Sequence, residues 1–200
     1  MNIKPIAKSG NYRYFLWELS DIILPDYLSV SLKDSEWVPY NKNNTLLKHS
    51  EKRFKVNKFE YNIFDHIFND LNYSIINSKD YDTHVPWPFD IGKQDLELKW
   101  SSSIIKDKSE FNMTPHLDNN LMFATCIINL EDNGENTTEY FKDENGKELI
   151  YKSPGKKSTG VLHINSPHLY HSASNKSKQD RIILMNNLTI PSIFKYRNEI

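Results

Sequence analysis

The chain has 200 residues, with 25 lysines and arginines against 26 aspartates and glutamates, and a formal net charge of -1. This balance gives no electrostatic reason to bind nucleic acid or an anionic membrane, so we expect neither as a partner. The single cysteine, Cys126, excludes an internal disulfide framework and the usual thiolate zinc sites. The length suits one domain, with or without an N-terminal extension.

The beginning of the chain lacks the features of a signal peptide, because Met1-Asn2-Ile3-Lys4-Pro5 is followed by polar residues rather than an apolar core. No stretch approaches the apolar length of a membrane-spanning helix. We therefore expect a soluble, cytoplasmic protein.

Residues 1–90 are predicted to form a mixed, partly helical region that packs on the core. The strongest helix prediction covers 60–71, where five apolar residues recur at helical spacing: Ile63, Phe64, Ile67, Phe68 and Leu71. A weaker helix is predicted over 14–24. The run 85–88, Val-Pro-Trp-Pro, indicates an extended connector, because each proline disfavours helix in the residue before it.

Residues 91–200 are predicted to form a β core. Apolar and polar residues alternate over 95–100, a nearly continuous apolar run covers 121–130, and β-prone segments follow at 137–141, 160–164 and 181–185. The sequence 143–146, Asp-Glu-Asn-Gly, predicts a turn. Many short strands favour a sandwich or barrel, so we expect a mainly β fold with outer helices (α+β), and residues 1–90 and 91–200 as two parts of one compact domain.

His116-Leu117-Asp118 forms an H-x-D pattern. On a strand, residues i and i+2 project from the same face, so the imidazole and the carboxylate would converge. Two histidines and one carboxylate bind ferrous iron on one side and leave three coordination positions open. The pattern alone is weak, since 7 histidines and 26 aspartates and glutamates give about 0.9 chance matches per chain to a histidine followed two residues later by an acidic residue. The second match, His49-Ser50-Glu51, lies in a charged stretch and is interpreted as solvated surface.

Downstream lies a group of three histidines, His163, His168 and His171, followed by Arg181 at the start of an apolar strand. Arginine is rarely buried without a partner, and a bound dicarboxylate would be such a partner for its planar guanidinium. The alternative is an edge-strand arginine that points into solvent.

Taken together, His116-x-Asp118, then His171 with Arg181 ten residues later, resemble the 2-oxoglutarate/Fe(II)-dependent dioxygenases. The prolyl-hydroxylase-like branch is most similar, because Asp118 and His171 are separated by 53 residues. The segments 127–132 and 133–137 also resemble that branch's apolar strand and the turn that follows it. The resemblance covers residues 95–190.

The resemblance implies a double-stranded β-helix, or jelly-roll, related to the cupins. It implies that His116, Asp118 and His171 bind Fe(II), that Arg181 binds the distal carboxylate of the cosubstrate 2-oxoglutarate, and that O2 is consumed. Some members add a tyrosine on the strand that here covers 121–130. No tyrosine occurs there, so Thr125 or a residue elsewhere is the expected second contact.

The third iron ligand has competitors. His163 is more often a structural strand residue, and His168 would line the mouth of the pocket or support a ligand. Asn187 shares strand parity with Arg181 and is a candidate pocket residue. Trp100 and Tyr140 are candidates for the pocket wall, although core packing is the commoner role of such aromatics.

The function expected from this resemblance is hydroxylation of an unactivated C–H bond in an amino acid, a small metabolite or a protein residue, with release of succinate and CO2. In related halogenases the carboxylate is replaced by glycine or alanine, so Asp118 favours hydroxylation over halogenation. The first alternative is a cupin-like metal-binding or isomerase module that does not use 2-oxoglutarate. The second is a non-enzymatic jelly-roll interaction domain.

Overall fold

The computed structural model describes residues 1–8, 14–25, 32, 35–40, 50–57, 99–118, 122–165 and 169–189. Within these residues the chain forms twelve strands, which pair antiparallel in two sheets, and a short 3-10 helix at Ser50–Lys52. None of the described segments is a helix long and apolar enough to cross a membrane.

The strands are, in chain order, β1 (Asn2–Lys8), β2 (Tyr14–Ser20), β3 (Trp37–Pro39), β4 (Arg53–Val56), β5 (Lys99–Asp107), β6 (Asn112–His116), β7 (Met122–Asn129), β8 (Thr138–Phe141), β9 (Leu149–Lys152), β10 (Gly160–Ile164), β11 (Tyr170–Ser174) and β12 (Arg181–Thr189). The major sheet has eight strands in the order β1-β2-β10-β7-β12-β5-β4-β3. The minor sheet has four strands in the order β6-β11-β8-β9.

The major sheet is buried on both faces. Successive residues of a strand point to opposite faces, and pairs such as Ile127 with Ile128 or Ile183 with Leu184 supply one apolar side chain to each face. The first cluster joins the two sheets: Leu16, Ile105, Ile127, Tyr140, Val161, Leu169 and Ile183. The second covers the other face and includes Trp17, Leu19, Ile104, Ile128, Leu162, Leu184 and Leu188. Burial on both faces explains why these strands read as continuous apolar runs.

Most strand predictions for the second half of the chain are confirmed. The apolar run at 121–130 contains β7, the segments at 137–141 and 160–164 contain β8 and β10, and 181–185 is the first half of β12. The predicted turn at 143–146 joins β8 to β9, and Gly146 has a positive φ of 67°. The alternation at 95–100 overlaps the start of β5, and residues 95–98 lie outside the described part.

The helix predicted over 14–24 is wrong. Residues 14–20 form β2, which pairs with β1 on one side and with β10 on the other. Leu16 packs in the first cluster while Trp17 and Leu19 pack in the second, so apolar residues on both faces obscured the strand period. The expected outer helices are not seen among the described residues. The helix prediction at 60–71 and the connector at 85–88 lie outside them.

The first half of the chain supplies strands to both sides of the major sheet. β2 pairs with β10, and β4 pairs with β5. The division of the chain at residue 90 stays a prediction, but these strands are part of the same sheet as the C-terminal strands.

Candidate metal centre

Three side chains of the minor sheet lie directly opposite one another on neighbouring strands. His116 of β6 pairs with His171 of β11, and His171 pairs in turn with Tyr140 of β8. Directly opposite residues on one face have closely spaced Cβ atoms, so their side chains touch. The His116 and His171 ring centroids are 4.4 Å apart, and those of His171 and Tyr140 are 5.9 Å apart. We call these three residues the histidine row.

Asp118 completes a potential ligand set with the two histidines. One ligand atom each from His116, Asp118 and His171 lies within 4.8 Å of the others. Because β6 ends at His116, the prediction that a single strand carries both the histidine and the aspartate is wrong. The chain beyond the strand brings the carboxylate to the pair, and Asp118 Oδ1 lies 3.6 Å from His171 Nε2.

The major sheet faces this group with a second set of paired residues. Asn187 of β12 is opposite Thr125 of β7, which is opposite His163 of β10. We call these three residues the polar row. The Thr125 hydroxyl donates to Asp118 Oδ2 over 2.9 Å and lies 3.1 Å from the side-chain amide oxygen of Asn187. His163 Nε2 is 3.0 Å from the same Asp118 oxygen.

The protonation states suit a divalent cation. Burial would raise the pKa of Asp118, but the hydrogen bond with His163, the nearby imidazoles and the Thr125 bond hold it well below its usual value. Burial lowers the pKa of His171 to about 3, against the opposing effect of Asp118. His171 is therefore neutral at physiological pH, and its contact with Asp118 is not an ion pair. A carboxylate and neutral imidazoles are the forms that bind metals.

The two histidines each leave a nitrogen for a ligand bond. His116 Nδ1 is 2.9 Å from the Thr114 carbonyl, and donation to it leaves Nε2 as an acceptor. His171 is buried, its Nδ1 has no hydrogen-bond partner among the described residues, and its Nε2 faces Asp118 Oδ1 at 3.6 Å. Two atoms that bind one ion at about 2.0–2.2 Å lie about 3–4 Å apart, so this separation fits a shared metal. The residues present therefore fit a metal ion of the two-histidine, one-carboxylate type.

Arg181 lies in a separate buried cluster. The edge-strand alternative for it is wrong, because Arg181 is only 1% exposed. Its Nη1 donates to Asp107 Oδ2 over 2.9 Å, and its Nη2 donates to Thr138 Oγ1 over 2.9 Å. Arg53 binds the same carboxylate, with Nε 2.6 Å from Oδ1 and Nη2 3.0 Å from Oδ2. Arg53, Asp107 and Arg181 are directly opposite one another on β4, β5 and β12, and we call them the arginine row.

The arginine row carries an excess of positive charge. Two guanidinium groups share one carboxylate, and no second carboxylate contacts either of them among the described residues. Arg181 Nε is buried and has no hydrogen-bond partner in the same part of the chain. A buried charge without a counterion is costly, so this cluster is suited to an anion.

Strand β8 links the two groups. Thr138 binds Arg181, and Tyr140, two residues later on the same face, binds His163. Burial raises the pKa of Tyr140 well above its usual value, Asp118 adds to that shift and Arg181 opposes it. Tyr140 is thus within electrostatic reach of both groups.

Of the other predicted pocket residues, Asn187 and Thr125 lie near Asp118, and Trp100 and His168 are not placed at the site by the described residues. Asn187 contacts Thr125, and Thr125 contacts Asp118 rather than Arg181, so its proposed role at the cosubstrate stays a prediction. Trp100 lies on β5 opposite Leu188, and only its backbone is described. His168 lies outside the described residues.

Sequence reasoning missed three members of this region: Arg53, Asp107 and Thr138. The sequence offers one signal for this cluster, which is Asp107 at the end of the apolar segment Ile104-Ile105-Lys106-Asp107. Asp107 is fully buried, and a buried carboxylate needs a cation as its partner. The identity of that cation depends on strand register, which the sequence alone does not reveal. The sequence predicts a structural strand role for His163 and does not predict the hydrogen bond between His163 Nε2 and Asp118 Oδ2.

Three solved structures share this architecture. A prolyl-4-hydroxylase from Pseudomonas putida has a TM-score of 0.57, with 88% of this chain and 92% of that chain covered at 9% identity. A prolyl hydroxylase from Trichoplax adhaerens, in complex with a peptide of the hypoxia inducible factor oxygen degradation domain, has a TM-score of 0.59, with 88% and 84% covered at 7% identity. The viral collagen prolyl hydroxylase of Paramecium Bursaria Chlorella virus-1, as a 2OG complex, has a TM-score of 0.55, with 88% and 96% covered at 12% identity.

The fold is that of the prolyl hydroxylases. The resemblance inferred from the H-x-D pattern, His171 and Arg181 is confirmed at the level of the fold. No family model matches the sequence, and no curated protein matches it. The prolyl-hydroxylase fold thus joins a potential metal site to a buried cationic cluster in this chain.

Proposed function

We propose that this protein is an Fe(II)- and 2-oxoglutarate-dependent oxygenase that hydroxylates an unactivated C–H bond. The observation that carries the proposal is the convergence of His116, Asp118 and His171, with ligand atoms within 4.8 Å of one another, in a prolyl-hydroxylase fold. These three residues would hold the iron. When bound, iron and 2-oxoglutarate supply the oxidising chemistry, in which O2 is consumed and the keto acid leaves as succinate and CO2.

The chain's own contribution is to bind, orient and exclude water. The histidine row supplies two imidazoles, of which the buried His171 is neutral. The partial exposure of His116 and Asp118 leaves the ligand set accessible from outside. A ligand set of three residues leaves coordination positions for a keto acid and for O2.

The arginine row is the proposed site of the distal carboxylate of 2-oxoglutarate. Two features favour an anion there: the excess positive charge, and the Nε of Arg181, which has no hydrogen-bond partner in the described part of the chain. Thr138 and Tyr140 are two residues apart on β8, which is about 7 Å along a strand. A five-carbon diacid can span such a distance between the arginine row and the histidine row.

The proposed substrate class is an amino acid, a peptide residue or a small metabolite. A peptide complex of one prolyl hydroxylase with this fold supports a peptide residue. As a ligand, Asp118 would fill the position that halogenases related to these dioxygenases leave to chloride, so the proposed reaction is hydroxylation.

A cupin-like metal protein that does not use 2-oxoglutarate is the second candidate. The observation that favours it is that both Nη groups of Arg181 already have protein partners, Asp107 and Thr138. In this case the protein would bind a metal but would not depend on the excess charge of the arginine row.

The two candidates are separated by an anaerobic titration of the Fe(II)-loaded protein with 2-oxoglutarate, followed by succinate measurement after O2 is admitted with amino acids and peptides. The oxygenase proposal predicts saturable binding that weakens about tenfold to a hundredfold in Arg181→Gln, since a charge-assisted hydrogen bond is lost. Lys108→Gln, which removes an exposed lysine paired with Asp180, should bind 2-oxoglutarate as the wild type does.

Metal binding without 2-oxoglutarate binding would favour the cupin-like function. Failure of the wild type to retain Fe(II) or its substitutes would contradict both candidates and favour a non-enzymatic interaction domain.

A further inference from the structure

The two carboxylate oxygens of Asp118 have different surroundings. Its Oδ2 receives two contacts from the major sheet, the Thr125 hydroxyl at 2.9 Å and His163 Nε2 at 3.0 Å. Among the described residues, its Oδ1 has only His171 Nε2 in range, at 3.6 Å, which is too long for a hydrogen bond. One oxygen is therefore fixed by the protein, and the other is left for a metal.

His163 is bound on its second nitrogen as well. Its Nδ1 is 3.0 Å from the hydroxyl of Tyr140, and both side chains are almost fully buried. Asp118 is a carboxylate and only accepts, so His163 Nε2 must carry the proton that it donates. In a neutral imidazole Nδ1 is then an acceptor, which requires the Tyr140 hydroxyl to donate to it.

For a neutral His163, one arrangement of protons satisfies all three groups. The Tyr140 hydroxyl donates to His163 Nδ1, and His163 Nε2 donates to Asp118 Oδ2. Cross-strand register places the members: Tyr140 is opposite His171 in the minor sheet, and His163 is opposite Thr125 in the major sheet. The chain of bonds thus runs from the minor sheet through His163 of the major sheet to Asp118 Oδ2, and it leaves Oδ1 for the metal.

We infer that His163 is a positioning residue for the metal ligand Asp118, and that Tyr140 fixes the tautomer in which His163 can do so. The inference rests on the proposed metal site and extends it, because neither residue is a ligand in that proposal. Both imidazole nitrogens of His163 are occupied by protein partners, so His163 has no free lone pair for the ion. Groups that orient metal ligands in this way typically change metal affinity about tenfold to a hundredfold.

The first measurement is the affinity of the metal-free protein for Mn(II), which requires no turnover. His163→Leu removes the donor to Asp118 and should raise the Mn(II) dissociation constant about tenfold to a hundredfold. His163→Gln retains an amide donor and an amide acceptor of similar reach and should recover part of that loss. Tyr140→Phe should weaken binding about fivefold, the value of one hydrogen bond.

Tyr151→Phe is the matched control. Tyr151 is opposite Tyr140 on β9, and its hydroxyl donates to Glu18 rather than to His163. The same phenol-to-phenyl change one strand further away should leave the Mn(II) affinity at the wild-type value. A loss equal to that of Tyr140→Phe would overturn the inference, because it would reflect general loosening of the minor sheet.

A double-variant comparison tests the chain of bonds. If Tyr140 acts only through His163, Tyr140→Phe should have no further effect on Mn(II) affinity in the His163→Leu protein. Additive losses would overturn the inference, because independent packing defects add. Should the leucine variant fail to fold, His163→Phe, which also lacks both ring nitrogens, takes its place, and Tyr140→Phe must again have no further effect on Mn(II) affinity.

The number of coordinated imidazoles provides the spectroscopic test. Pulsed electron paramagnetic resonance of the Cu(II)-loaded wild type should show two, from His116 and His171. Three would make His163 a ligand and overturn the positioning role. Wild-type Mn(II) affinity in His163→Leu would also overturn it while leaving the metal site intact. A wild type that binds neither Mn(II) nor Cu(II) would instead overturn the metal site itself, and the inference with it.

Discussion

The histidine row of the minor sheet and the arginine row of the major sheet are both sets of directly opposite residues on three neighbouring strands. Beside the histidine row lies the Asp118 carboxylate, and burial keeps His171 neutral, so this row is suited to a cation. The arginine row is held by ion pairs with one carboxylate between two guanidinium groups, so it is suited to an anion. In both rows, directly opposite residues on neighbouring strands bring together groups suited to a ligand, a cation in one row and an anion in the other. Strand β8 contacts both groups through Tyr140 and Thr138.

The largest expected effect comes from removing the charge at the centre of the arginine row. Asp107→Asn leaves Arg53 and Arg181 buried without a counterion and should lower the free energy of unfolding by about 3–5 kcal/mol. Urea unfolding measures the loss. Arg53→Gln in the same protein should restore part of it, since one buried charge is removed.

The control for that variant is Glu148→Gln on the surface. Glu148 pairs with Lys142 at 3.5 Å, and both side chains are about two-thirds exposed. The change should cost under about 1 kcal/mol. If Asp107→Asn were equally mild, the arginine row would not be the buried charge cluster described above.

The next largest effect is expected at the metal centre. Asp118→Ala removes the only carboxylate of the ligand set and should weaken Mn(II) or Fe(II) binding by at least about a hundredfold, measured by anaerobic calorimetry. Asp132→Ala, at an exposed aspartate that accepts the Lys157 backbone N–H, should leave the affinity unchanged. An Asp118→Ala protein that binds metal and turns over normally would disprove the ligand assignment.

The metal-free histidine row should make stability depend on pH. The pKa of His171 is lowered by burial to about 3 from 6.5, so below about pH 6.5 the unfolded chain binds a proton that the folded protein does not. The free energy of unfolding should therefore fall as the pH decreases from 6.5 towards 3, by roughly 1 kcal/mol per pH unit.

Asp118 acts in the same direction at lower pH. Its depressed pKa contributes stability that is present above about pH 3.8 and is lost as the pH falls through the folded-state value. Urea unfolding of the metal-free protein at several pH values measures both effects. The slope between about pH 6.5 and pH 4 should be shallower in His171→Gln, and an equal slope in that variant would contradict the assignment to this imidazole.

The smallest effect concerns the support of β6. Gly146 has a φ of +67°, and a Cβ atom there would lie 2.9 Å from Pro115 Cγ, next to His116. Gly134 also has a positive φ, +58°, but open space around it. Gly134→Ala and Gly146→Ala should each cost about 1 kcal/mol of stability for the backbone conformation. Only Gly146→Ala should also weaken Mn(II) binding, by a fewfold, because the added Cβ displaces Pro115 beside His116. Equal Mn(II) affinities of the two variants would show that displacement of Pro115 does not affect His116.

The site residues that the sequence could single out are those that together resemble the dioxygenase pattern. His116, Asp118, His171 and Arg181 carry that resemblance jointly, since the H-x-D pattern alone is weak. The members that could not be predicted are partners across strands. Asp107 lies 54 residues from Arg53 and 74 from Arg181, and only sheet register makes them neighbours.

The strands that could be predicted are those that the local sequence of a single segment identifies. Strands β7, β8, β10 and β12 follow from local apolar patterns and turns. Strand β2 was mistaken for a helix because Leu16, Trp17 and Leu19 serve two clusters on opposite faces, which removes the alternation that marks a half-buried strand. Its identity depends on its neighbours β1 and β10, which local sequence does not specify.

The position of Arg53 on β4 has an electrostatic consequence for the whole molecule. Without β4, Asp107 and Arg181 would form a balanced pair with no net attraction for an acid. The early part of the chain therefore contributes the surplus positive charge by which the proposed oxygenase would bind a diacid. A fragment starting after β4 should retain the three proposed iron ligands but lose that surplus charge.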